Sequence, residues 1–255
     1  MSPFDPIWVP IDETTGEPVR WPPGWRVHHV VETGSTNSDL LAAYAAGIVR
    51  DRTVLVTDHQ TAGRGRLDRR WEAPPGANLL VSLLFTDLPD PAVELTQRVG
   101  LAAVRAAEPW CADHRRLALK WPNDVLLDER KLAGILAQRT TGGRDGLDAV
   151  VVGMGLNLGW APEGAALLGG KVSPASFLAV LLRRFDALPD QIGEAYRGAL
   201  STLGRQVRVE LPDGAVLEGV GEDIDDRGRL LVRGEDGAVR HLDVGDVVHA
   251  RVRAE

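Results

Sequence analysis

Short apolar runs alternate with helical patterns along most of the chain, which is typical of a domain that combines α-helices with β-strands. One long helical pattern covers residues 91–107. Apolar runs short enough to be strands lie at residues 53–57, 78–85, 117–121, 125–127, 132–137 and 149–153. Residues 27–204 are therefore predicted to form one α/β or α+β domain.

Further helices are indicated by the residues at their ends. Ser35 or Thr36 can cap a helix that ends at Gly47, because hydroxyl residues favour helix starts and glycine favours the position after the last turn. A serine before Pro174 predicts a helix that continues to about residue 188. Another helix is predicted at residues 190–203.

The pattern changes after Gly204 to short alternating strands separated by turns rich in glycine and aspartate. Residues 205–255 are therefore predicted to form a small all-β barrel of the SH3-like type. Roughly fifty residues are close to the lower limit for an independent core. We therefore expect the barrel to lean on the larger domain.

Residues 1–26 are predicted to form a proline-rich leader, since proline occurs there six times. Regular secondary structure is not expected in such a segment. Trp8, Trp21 and Trp25 indicate that parts of the leader dock onto the rest of the protein.

Composition narrows the class of protein. With 255 residues, of which 44% are hydrophobic and 25% charged, the chain is expected to be a soluble globular protein. Its formal net charge of −7 gives no general attraction to nucleic acid or anionic lipid. The sequence has no secretion signal and no apolar stretch of membrane-spanning length. We therefore expect cytoplasmic residence and neither a membrane nor a nucleic-acid partner.

Cysteine and histidine usage excludes several kinds of site. The single cysteine, Cys111, cannot form an intrachain disulfide or a metal site built from thiolates. The six histidines form no metal-binding pattern, and neither a Gly-x-Ser-x-Gly elbow nor a Walker loop occurs. Serine-hydrolase and P-loop chemistry are therefore disfavoured.

The first candidate site is the polar segment at residues 60–71, which follows a predicted strand. It interleaves glycines with arginines, namely Gly63, Arg64, Gly65 and Arg66. Glycine lets a ligand approach the backbone closely, and guanidinium groups match phosphate and carboxylate oxygens. A solvated basic loop is the alternative interpretation. The glycine spacing and Trp71 favour a ligand site, because a flat aromatic ring beside an anion-binding loop suits a nucleotide.

The second candidate begins at residues 120–124, where a strand ends in a turn and a hairpin follows. Asn123 and Asp124 offer oxygen ligands for Mg²⁺, although Pro-Asn-Asp is also an ordinary turn sequence. Lys131 opens the next apolar run close to Gly134. This position makes Lys131 a candidate buried cation.

The third candidate is the segment at residues 150–159, which contains Gly153, Gly155 and Asn157. It is similar to a dinucleotide-binding fingerprint, but the glycine spacing differs and no acidic residue follows at the required distance. We interpret it as a strand and loop at which the backbone and Asn157 approach a ligand.

Five segments, taken together and in this order, resemble the biotin protein ligases. They are residues 35–37, 60–71, 120–124, 131–136 and 153–157. Each segment alone is a weak signal, whereas five in register over residues 27–255 are specific. The resemblance implies an α+β fold, with a mixed-sheet catalytic domain like that of class II synthetases and of the biotin and lipoate ligases. A small C-terminal SH3-like barrel follows in the family.

The resemblance also implies binding roles. Ser35, Thr36, Asn37 and Gln60 are implied to bind the biotin head group, because its ureido ring needs donors and acceptors in an otherwise apolar pocket. The glycine–arginine loop is implied to close over biotin and the adenylate phosphate, with Trp71 near adenine. The other implied contacts to biotin or ATP are Asn123, Lys131, Gly134, Gly153, Gly155 and Asn157.

The implied reaction has two halves. The biotin carboxylate attacks the α-phosphate of ATP, which releases pyrophosphate, and a lysine of a biotin carboxyl carrier domain of acyl-CoA carboxylases then attacks the mixed anhydride. Because two anions meet in the first half, catalysis is expected to depend on charge neutralisation by Arg64, Arg66, Lys131 and Mg²⁺. Asp124 is a candidate ligand for Mg²⁺ that arrives with ATP. It is also a candidate helper in deprotonating the acceptor amine.

The chain departs from the family pattern at two places. Asp68 stands where the family loop often has a glycine, which bears on the backbone geometry and charge of that loop. Bifunctional members carry an N-terminal helix-turn-helix domain, whereas only the proline-rich leader precedes the predicted catalytic domain here. A DNA-binding repressor is therefore not expected.

Two alternative functions stay open. A lipoate or octanoate transferase is similar in fold and also modifies carrier lysines, while a biotin sensor binds biotin without catalysis. The glycine–arginine loop and the predicted barrel favour the ligase over the transferase. Release of pyrophosphate that depends on biotin separates the ligase from the sensor.

Overall fold

A seven-stranded mixed sheet lies at the centre of the protein, as seen in a computed structural model. In chain order its strands are β1 (Arg26–Thr33), β2 (Thr53–Gln60), β3 (Leu79–Phe85), β4 (Leu117–Lys120), β5 (Asp124–Leu127), β6 (Arg130–Thr140) and β7 (Ala149–Leu156). They lie side by side in the order β1-β2-β3-β7-β6-β5-β4. β1 runs parallel to β2, and the other neighbouring pairs are antiparallel. The predicted mixed sheet is confirmed, and every predicted strand of this region is present.

The structure describes residues 4, 7–12, 15–67, 69–112, 115–142, 146–169, 172–211, 214–243 and 246–249. Asp68, which replaces the glycine of the family loop, lies outside the described residues.

The sequence patterns did not indicate β1. This strand interrupts its valines with His28, His29 and Glu32, so no continuous apolar run marks it. It lies at the edge of the sheet and pairs only with β2 among the described strands. An edge strand is half solvated, which explains why its sequence carries a weaker apolar signal.

The helices lie on the two faces of this sheet. They are α1 (Thr36–Ala45), α2 (Glu94–Ala107), a short 3-10 helix (Glu108–Trp110), α3 (Pro174–Asp186) and α4 (Gly193–Ala199). As predicted, Gly47 follows the end of α1 with a positive φ of 68°. Ser173 caps α3, since its hydroxyl accepts the backbone N–H of Ser176 at 3.1 Å. Ser35 is the N-cap residue of α1, but its side chain makes no capping hydrogen bond.

The helix predicted at residues 190–203 is shorter in the structure. It ends at Ala199 because the following residues bind the end of β4 instead. The backbone N–H of Ser201 donates to the carbonyl of Leu119 at 2.8 Å, and the Thr202 hydroxyl accepts the N–H of Trp121 at 3.1 Å. These contacts with β4 are distant in sequence, so the local helical pattern did not indicate them.

The core follows the alternation of side chains along the strands. Leu84 packs with Leu40 and Tyr44 of α1 on one face of the sheet. Leu83, its neighbour in the chain, belongs to the larger cluster on the other face, which α2 and α3 cover.

A second, five-stranded sheet forms the C-terminal part. Its strands are β8 (Gln206–Glu210), β9 (Val216–Ile224), β10 (Leu230–Arg233), β11 (Val239–Leu242) and β12 (Asp246–His249). They are antiparallel in the order β11-β10-β9-β8-β12, which confirms the predicted small all-β domain. Val207 and Leu230 share one hydrophobic cluster with Trp121 of the larger part. The expectation that the small domain leans on the larger one is confirmed.

The described part of the leader docks onto the protein, as its tryptophans indicated. The backbone N–H of Trp8 donates to the Val27 carbonyl at 2.8 Å, and the indole N–H of Trp21 donates to the Trp8 carbonyl at 2.6 Å. Trp25 is 6% exposed. Within the described residues of the leader, the regular structure before β1 is limited to an isolated bridge between Ile11 and Pro18.

Among the helices that the structure describes, none is both long and apolar enough to cross a membrane.

Candidate functional site

A cavity of about 240 Å³ opens at the N-terminal end of α1, on the face of the sheet that α1 covers. Residues from all five sequence segments line it. The lining includes Ser35, Thr36, Asn37, Gln60, Arg64, Gly65, Arg66, Trp71, Asn123, Asp124, Lys131, Gly134, Gly153, Gly155 and Asn157. Of the residues predicted for the site, Gly63 alone is not in the lining. It lies directly behind it, since a Cβ at this position would collide with the carbonyl of Trp71.

The floor of the cavity is a network of buried polar side chains at the start of α1. The Gln60 Oε1 atom accepts the backbone N–H of Thr36 at 2.9 Å. The Thr36 hydroxyl lies 2.6 Å from the Ser82 hydroxyl, and Ser82 in turn donates to the Asn37 Oδ1 atom at 2.6 Å. These contacts join α1 to β2 and β3, so the sheet fixes the positions of the floor.

Asn37 lies flat across neighbouring strands. Its Nδ2 group donates to the Leu136 carbonyl at 3.1 Å and to the Gln138 Oε1 atom at 2.9 Å. Gly153 lies beneath it, and a Cβ there would collide with the amide of Asn37. Ser82 and Leu136 both pair with Gly153, from opposite sides. The register of β3, β7 and β6 therefore builds the seat of Asn37.

A platform of two paired glycines supports Trp71. Gly134 of β6 pairs with Gly155 of β7. A Cβ at Gly155 would collide with the indole, and a Cβ at Gly134 would lie 3.1 Å from both Trp71 Cζ3 and Lys131 Nζ. Only residues without a side chain leave room for the ring here. The Trp71 indole N–H is buried and has no hydrogen-bond partner in the described residues.

The glycine–arginine loop is folded as a tight hairpin across the mouth of the cavity. The backbones of Arg64 and Arg70 form an isolated antiparallel β-bridge, and the backbone N–H of Gly65 donates to the Arg69 carbonyl at 2.7 Å. Leu67 does not anchor this loop to the core, because it is 53% exposed and has a positive φ of 54°. Backbone hydrogen bonds hold the hairpin instead.

Two cations of the site contact the turn after β4. Lys131 Nζ lies 2.7 Å from Asp124 Oδ1, and Arg66 donates to Asn123 Oδ1 at 3.2 Å. Lys131 also lies 5.6 Å from the centre of the Trp71 ring, within the range of a cation–π contact. The prediction of a buried cation was wrong in one respect, since the Lys131 side chain is 40% exposed. Its charge is therefore accessible from the cavity.

The side chain of Asn157 makes its hydrogen bonds within the protein. It lines the cavity but is 2% exposed, and its Nδ2 group donates to the Ala166 carbonyl at 3.0 Å. Asn78 donates to its Oδ1 atom at 3.3 Å. The side chain thus ties the loop after β7 to the sheet, and its contact with a ligand stays a prediction.

Sequence reasoning missed Ser82, which lines the cavity, and two polar residues behind the lining, Gln138 and Asn78, which bind Asn37 and Asn157. Ser82 is fully buried on β3, where every other residue is apolar. A lone hydroxyl in such a strand is the signal that was available, because buried polar groups are nearly always hydrogen-bonded. Gln138 had no such signal.

The described residues contain no group of three or more His, Cys, Asp or Glu side chains that could hold a metal ion. The cavity instead combines a polar floor with a cationic mouth formed by Arg64, Arg66 and Lys131. Such a pocket can bind an uncharged polar ring at its floor and neutralise carboxylate or phosphate groups at its mouth.

Comparisons with known protein families agree with these segments. The model of the biotin/lipoate A/B protein ligase family matches residues 33–157. The model of the biotin protein ligase C-terminal domain matches residues 202–250.

Relatives cover the whole length of the chain. The biotin--[acetyl-CoA-carboxylase] ligase of Mycobacterium tuberculosis is 38% identical over 273 residues, covering 98% of this chain and 100% of the relative. The enzyme of the same name from Paracoccus denitrificans is 34% identical over 231 residues, covering 82% of this chain and 94% of the relative.

Among solved structures, a biotin protein ligase from Aquifex aeolicus in complex with biotin and ATP has a similar fold. The TM-score is 0.69 at 24% identity, and the match covers 89% of this chain and 99% of the other.

Proposed function

This chain belongs to the biotin protein ligase family, and from that membership we infer that it is a ligase that forms biotinyl-5′-AMP and transfers biotin to a carrier protein. The cavity supports this function in one observation: a hydrogen-bonding floor lies opposite a cationic mouth within one small pocket. Biotin has the matching arrangement, with a ureido ring at one end and a carboxylate at the other.

We propose that the floor binds the ureido ring. Thr36, Asn37 and Gln60 present donors and acceptors there while being held by α1, β2 and β3. Polar groups placed in this way fix the orientation of a ligand. The valerate chain of biotin then points its carboxylate towards the loop.

The mouth is proposed to carry the first half of the reaction. A carboxylate that attacks the α-phosphate of ATP brings two anions together, so cations at the point of contact stabilise the transition state. Arg64, Arg66 and Lys131 lie around the same cavity. Lys131 is proposed to bridge the biotin carboxylate and the α-phosphate, because its charge is accessible and Asp124 holds its position at 2.7 Å.

Trp71 and the hairpin that it ends are proposed to shield the adenylate. The mixed anhydride must survive until a carrier lysine arrives, so water has to be excluded. The indole rests on Gly134 and Gly155, with its unpartnered N–H buried within the described residues. We propose that this ring packs near adenine when ATP is bound.

Mg²⁺ is proposed to arrive with the phosphates of ATP rather than to occupy a resident site. Lys131 contacts Asp124 Oδ1, and Arg66 contacts Asn123 Oδ1, so both predicted oxygen ligands already face cations. These residues do not fit a resident metal site, although Mg²⁺ commonly uses substrate phosphates and one or two carboxylates. Asp124 therefore holds Lys131, and it stays the proposed base for the acceptor amine.

The carrier is proposed to be the biotin carboxyl carrier domain of an acyl-CoA carboxylase. The relatives from Mycobacterium tuberculosis and Paracoccus denitrificans are both named for acetyl-CoA carboxylase. We also propose that the protein works in the cytoplasm, where that acceptor would be modified.

Exchange of labelled pyrophosphate into ATP tests the first half of the reaction. We expect exchange with the purified protein when biotin is added and none without it. Transfer is then measured with labelled biotin, which should appear on a carrier domain. A carrier variant that has arginine in place of the acceptor lysine should stay unlabelled. Exchange without transfer would leave the enzyme an adenylating protein with a different acceptor.

A lipoate transferase is the second candidate, and the floor argues against it. The dithiolane ring of lipoate has no N–H and no carbonyl, so it cannot use the hydrogen-bonding capacity that Thr36, Asn37 and Gln60 still offer to the cavity. Covering polar groups with an apolar ring, without hydrogen bonds in return, is costly. Calorimetry with biotin and lipoate decides between the two: we expect binding of biotin and no measurable binding of lipoate.

A further inference from the structure

Ser82 is the single polar residue of β3, and it lies beneath α1 at the floor of the cavity. Its side chain is fully buried. Its hydroxyl contacts both Thr36 and Asn37, at 2.6 Å each. A serine has one proton to donate, so the direction of each of these hydrogen bonds can be worked out from its neighbours.

The direction is fixed first at Asn37. The Leu136 carbonyl can only accept a hydrogen bond, so the Asn37 atom that faces it at 3.1 Å must be the amide nitrogen. The second N–H of this amide goes to Gln138. The Oδ1 atom therefore faces Ser82 and accepts its proton. One lone pair of Oδ1 remains for a ligand.

The directions of the hydrogen bonds of Thr36 and Gln60 follow from that of Ser82. Since the Ser82 proton is used, the 2.6 Å contact needs the Thr36 proton, so the Thr36 hydroxyl donates to the Ser82 oxygen in preference to the more distant Gln60 Oε1 atom at 3.1 Å. Its own lone pairs stay available as acceptors. The Gln60 Oε1 atom is used by the Thr36 backbone N–H at 2.9 Å, so the Gln60 Nε2 group is left as a donor.

The floor thus presents two acceptors, on Thr36 and Asn37, and one donor, on Gln60. A cyclic urea presents the complementary set, two N–H donors and one carbonyl acceptor. We propose, resting on the function proposed above, that Ser82 is a positioning residue that orders these hydrogen bonds and so sets the selectivity of the floor for a ureido ring. Without its hydroxyl, the Thr36 proton turns to the Gln60 Oε1 atom 3.1 Å away, and Asn37 loses the bond that orients its oxygen.

The test is Ser82→Ala in the full-length protein, measured by pyrophosphate exchange. We expect the KM for biotin to rise about tenfold, the change that the loss of one or two neutral hydrogen bonds produces. The KM for ATP and the kcat at saturating biotin should stay within about twofold, because Ser82 does not reach the mouth. A purely structural role would lower kcat or shift both KM values together.

Two analogues locate the effect on the ring. Desthiobiotin keeps the ureido ring, so its KM should rise by the same factor as that of biotin. A thiolane valerate without the ureido ring should inhibit the wild-type protein and the variant equally. If Ser82→Ala weakened inhibition by the thiolane valerate as much as it raised the KM for biotin, the proposal would be overturned, as it would by an unchanged KM for biotin.

Controls separate binding from folding. Thr53→Val removes a hydroxyl that is 1% exposed and donates to the Arg50 carbonyl at 2.7 Å, at the end of β2 far from Gln60. It should lower the unfolding midpoint about as much as Ser82→Ala but leave every KM unchanged. Ser82→Cys keeps the size of the side chain with a weaker donor and should give an intermediate KM. If the wild-type protein shows no exchange, the proposed function fails; calorimetry of biotin with Ser82→Ala then still decides the role of Ser82.

Discussion

The indole N–H of Trp121 donates to the carbonyl oxygen of Gly228 at 3.0 Å, and this bond joins the turn that carries Asn123 and Asp124 to the C-terminal sheet. Trp121 is 2% exposed, and its backbone N–H binds the Thr202 hydroxyl at 3.1 Å. The small domain therefore contacts the turn beside the candidate cavity through a buried side chain. This contact gives a physical reason for the C-terminal part to influence catalysis.

We expect Trp121→Phe to lower the kcat of adenylate formation several-fold. The substitution leaves the Gly228 carbonyl without its partner, which costs about 1 to 3 kcal/mol, and it loosens the turn at Asn123. Trp25→Phe is the matched control, since it removes a buried indole bond to Asp186 on the opposite side of the core. Both variants should unfold at lower temperature, but only Trp121→Phe should lose turnover. Equal turnover in the two would show that the contact is merely structural.

Gly155→Ala should reduce kcat/KM for ATP roughly 5- to 150-fold. The added Cβ collides with the indole of Trp71 and displaces it from the platform. Overpacking of this kind costs about 1 to 3 kcal/mol, and each 1.4 kcal/mol corresponds to a factor of ten. Gly198→Ala is the control, because a Cβ at Gly198 meets no atom within 4 Å. Normal ATP kinetics in Gly155→Ala would remove Trp71 from the nucleotide site.

Much of this arrangement was readable from the sequence. The strands at residues 53–57, 78–85 and 149–153 were predicted because apolar runs bounded by turn residues report local structure. The cavity-lining motifs were found because five segments in register resemble the biotin protein ligases, although each segment alone is a weak signal.

The remainder depends on contacts between residues distant in sequence. Ser82 and Leu136 flank Gly153 only through the register of β3, β7 and β6, which no local pattern specifies. Thr202 lies outside the helix that was predicted to include it, because its hydroxyl binds the backbone N–H of Trp121, a residue far away in the chain. The edge strand β1 was missed for another reason, since its polar residues disguise a strand that is half solvated.

Lys131→Ala should slow adenylate formation about a hundredfold, since one electrostatic contact in the transition state is worth ~3 kcal/mol. The unfolding midpoint should hardly change, because the partly exposed ion pair with Asp124 adds at most about 1 kcal/mol. Arg139 lies on the same strand as Lys131 and serves as the control. Arg139→Ala breaks an exposed ion pair with Asp148 and should leave the rate unchanged. Near-normal single-turnover rates in Lys131→Ala would refute its assignment.

Asp225 should make the stability of the protein depend on pH in the acidic range. Burial alone raises the pKa of Asp225, but hydrogen bonds from the Arg229 backbone and side chain, from His241 and from the Arg227 backbone outweigh it and hold the pKa well below its usual range. The folded-state pKa is thus below the unfolded value of about 3.9, so the stabilisation is present above that pH and is lost as the pH falls towards the folded pKa.

Thermal unfolding between pH 2 and pH 8 checks this dependence. Asp225→Asn should lower the unfolding midpoint at pH 7, and the difference from the wild-type protein should shrink below about pH 4. Asp226→Asn removes the same charge from the neighbouring position and serves as the control. A difference that stays constant down to pH 2 would contradict the role of Asp225.

The glycine–arginine hairpin should be cut by trypsin in the free enzyme and protected when biotin and Mg-ATP are both bound. The segment contains four arginines, at positions 64, 66, 69 and 70, and one acid, Asp68, so its formal charge is positive. Three contacts close the hairpin: the backbone hydrogen bond between Gly65 and Arg69, the β-bridge between Arg64 and Arg70, and the side-chain hydrogen bond from Arg66 to Asn123. They are opposed by the loss of backbone entropy, which costs roughly 1 to 2 kcal/mol for each ordered residue. A phosphate between Arg64 and Arg66 adds charge-assisted hydrogen bonds that shift the balance towards the closed form. Both ligands together should therefore suppress cleavage more than either alone.

Cleavage at exposed Arg227 in the C-terminal sheet should stay constant and serves as the internal control. Resistance of the free hairpin to trypsin would mean that the loop is already closed, and equal cleavage with and without ligands would mean that it does not close on binding; either result would contradict a role in gating the adenylate.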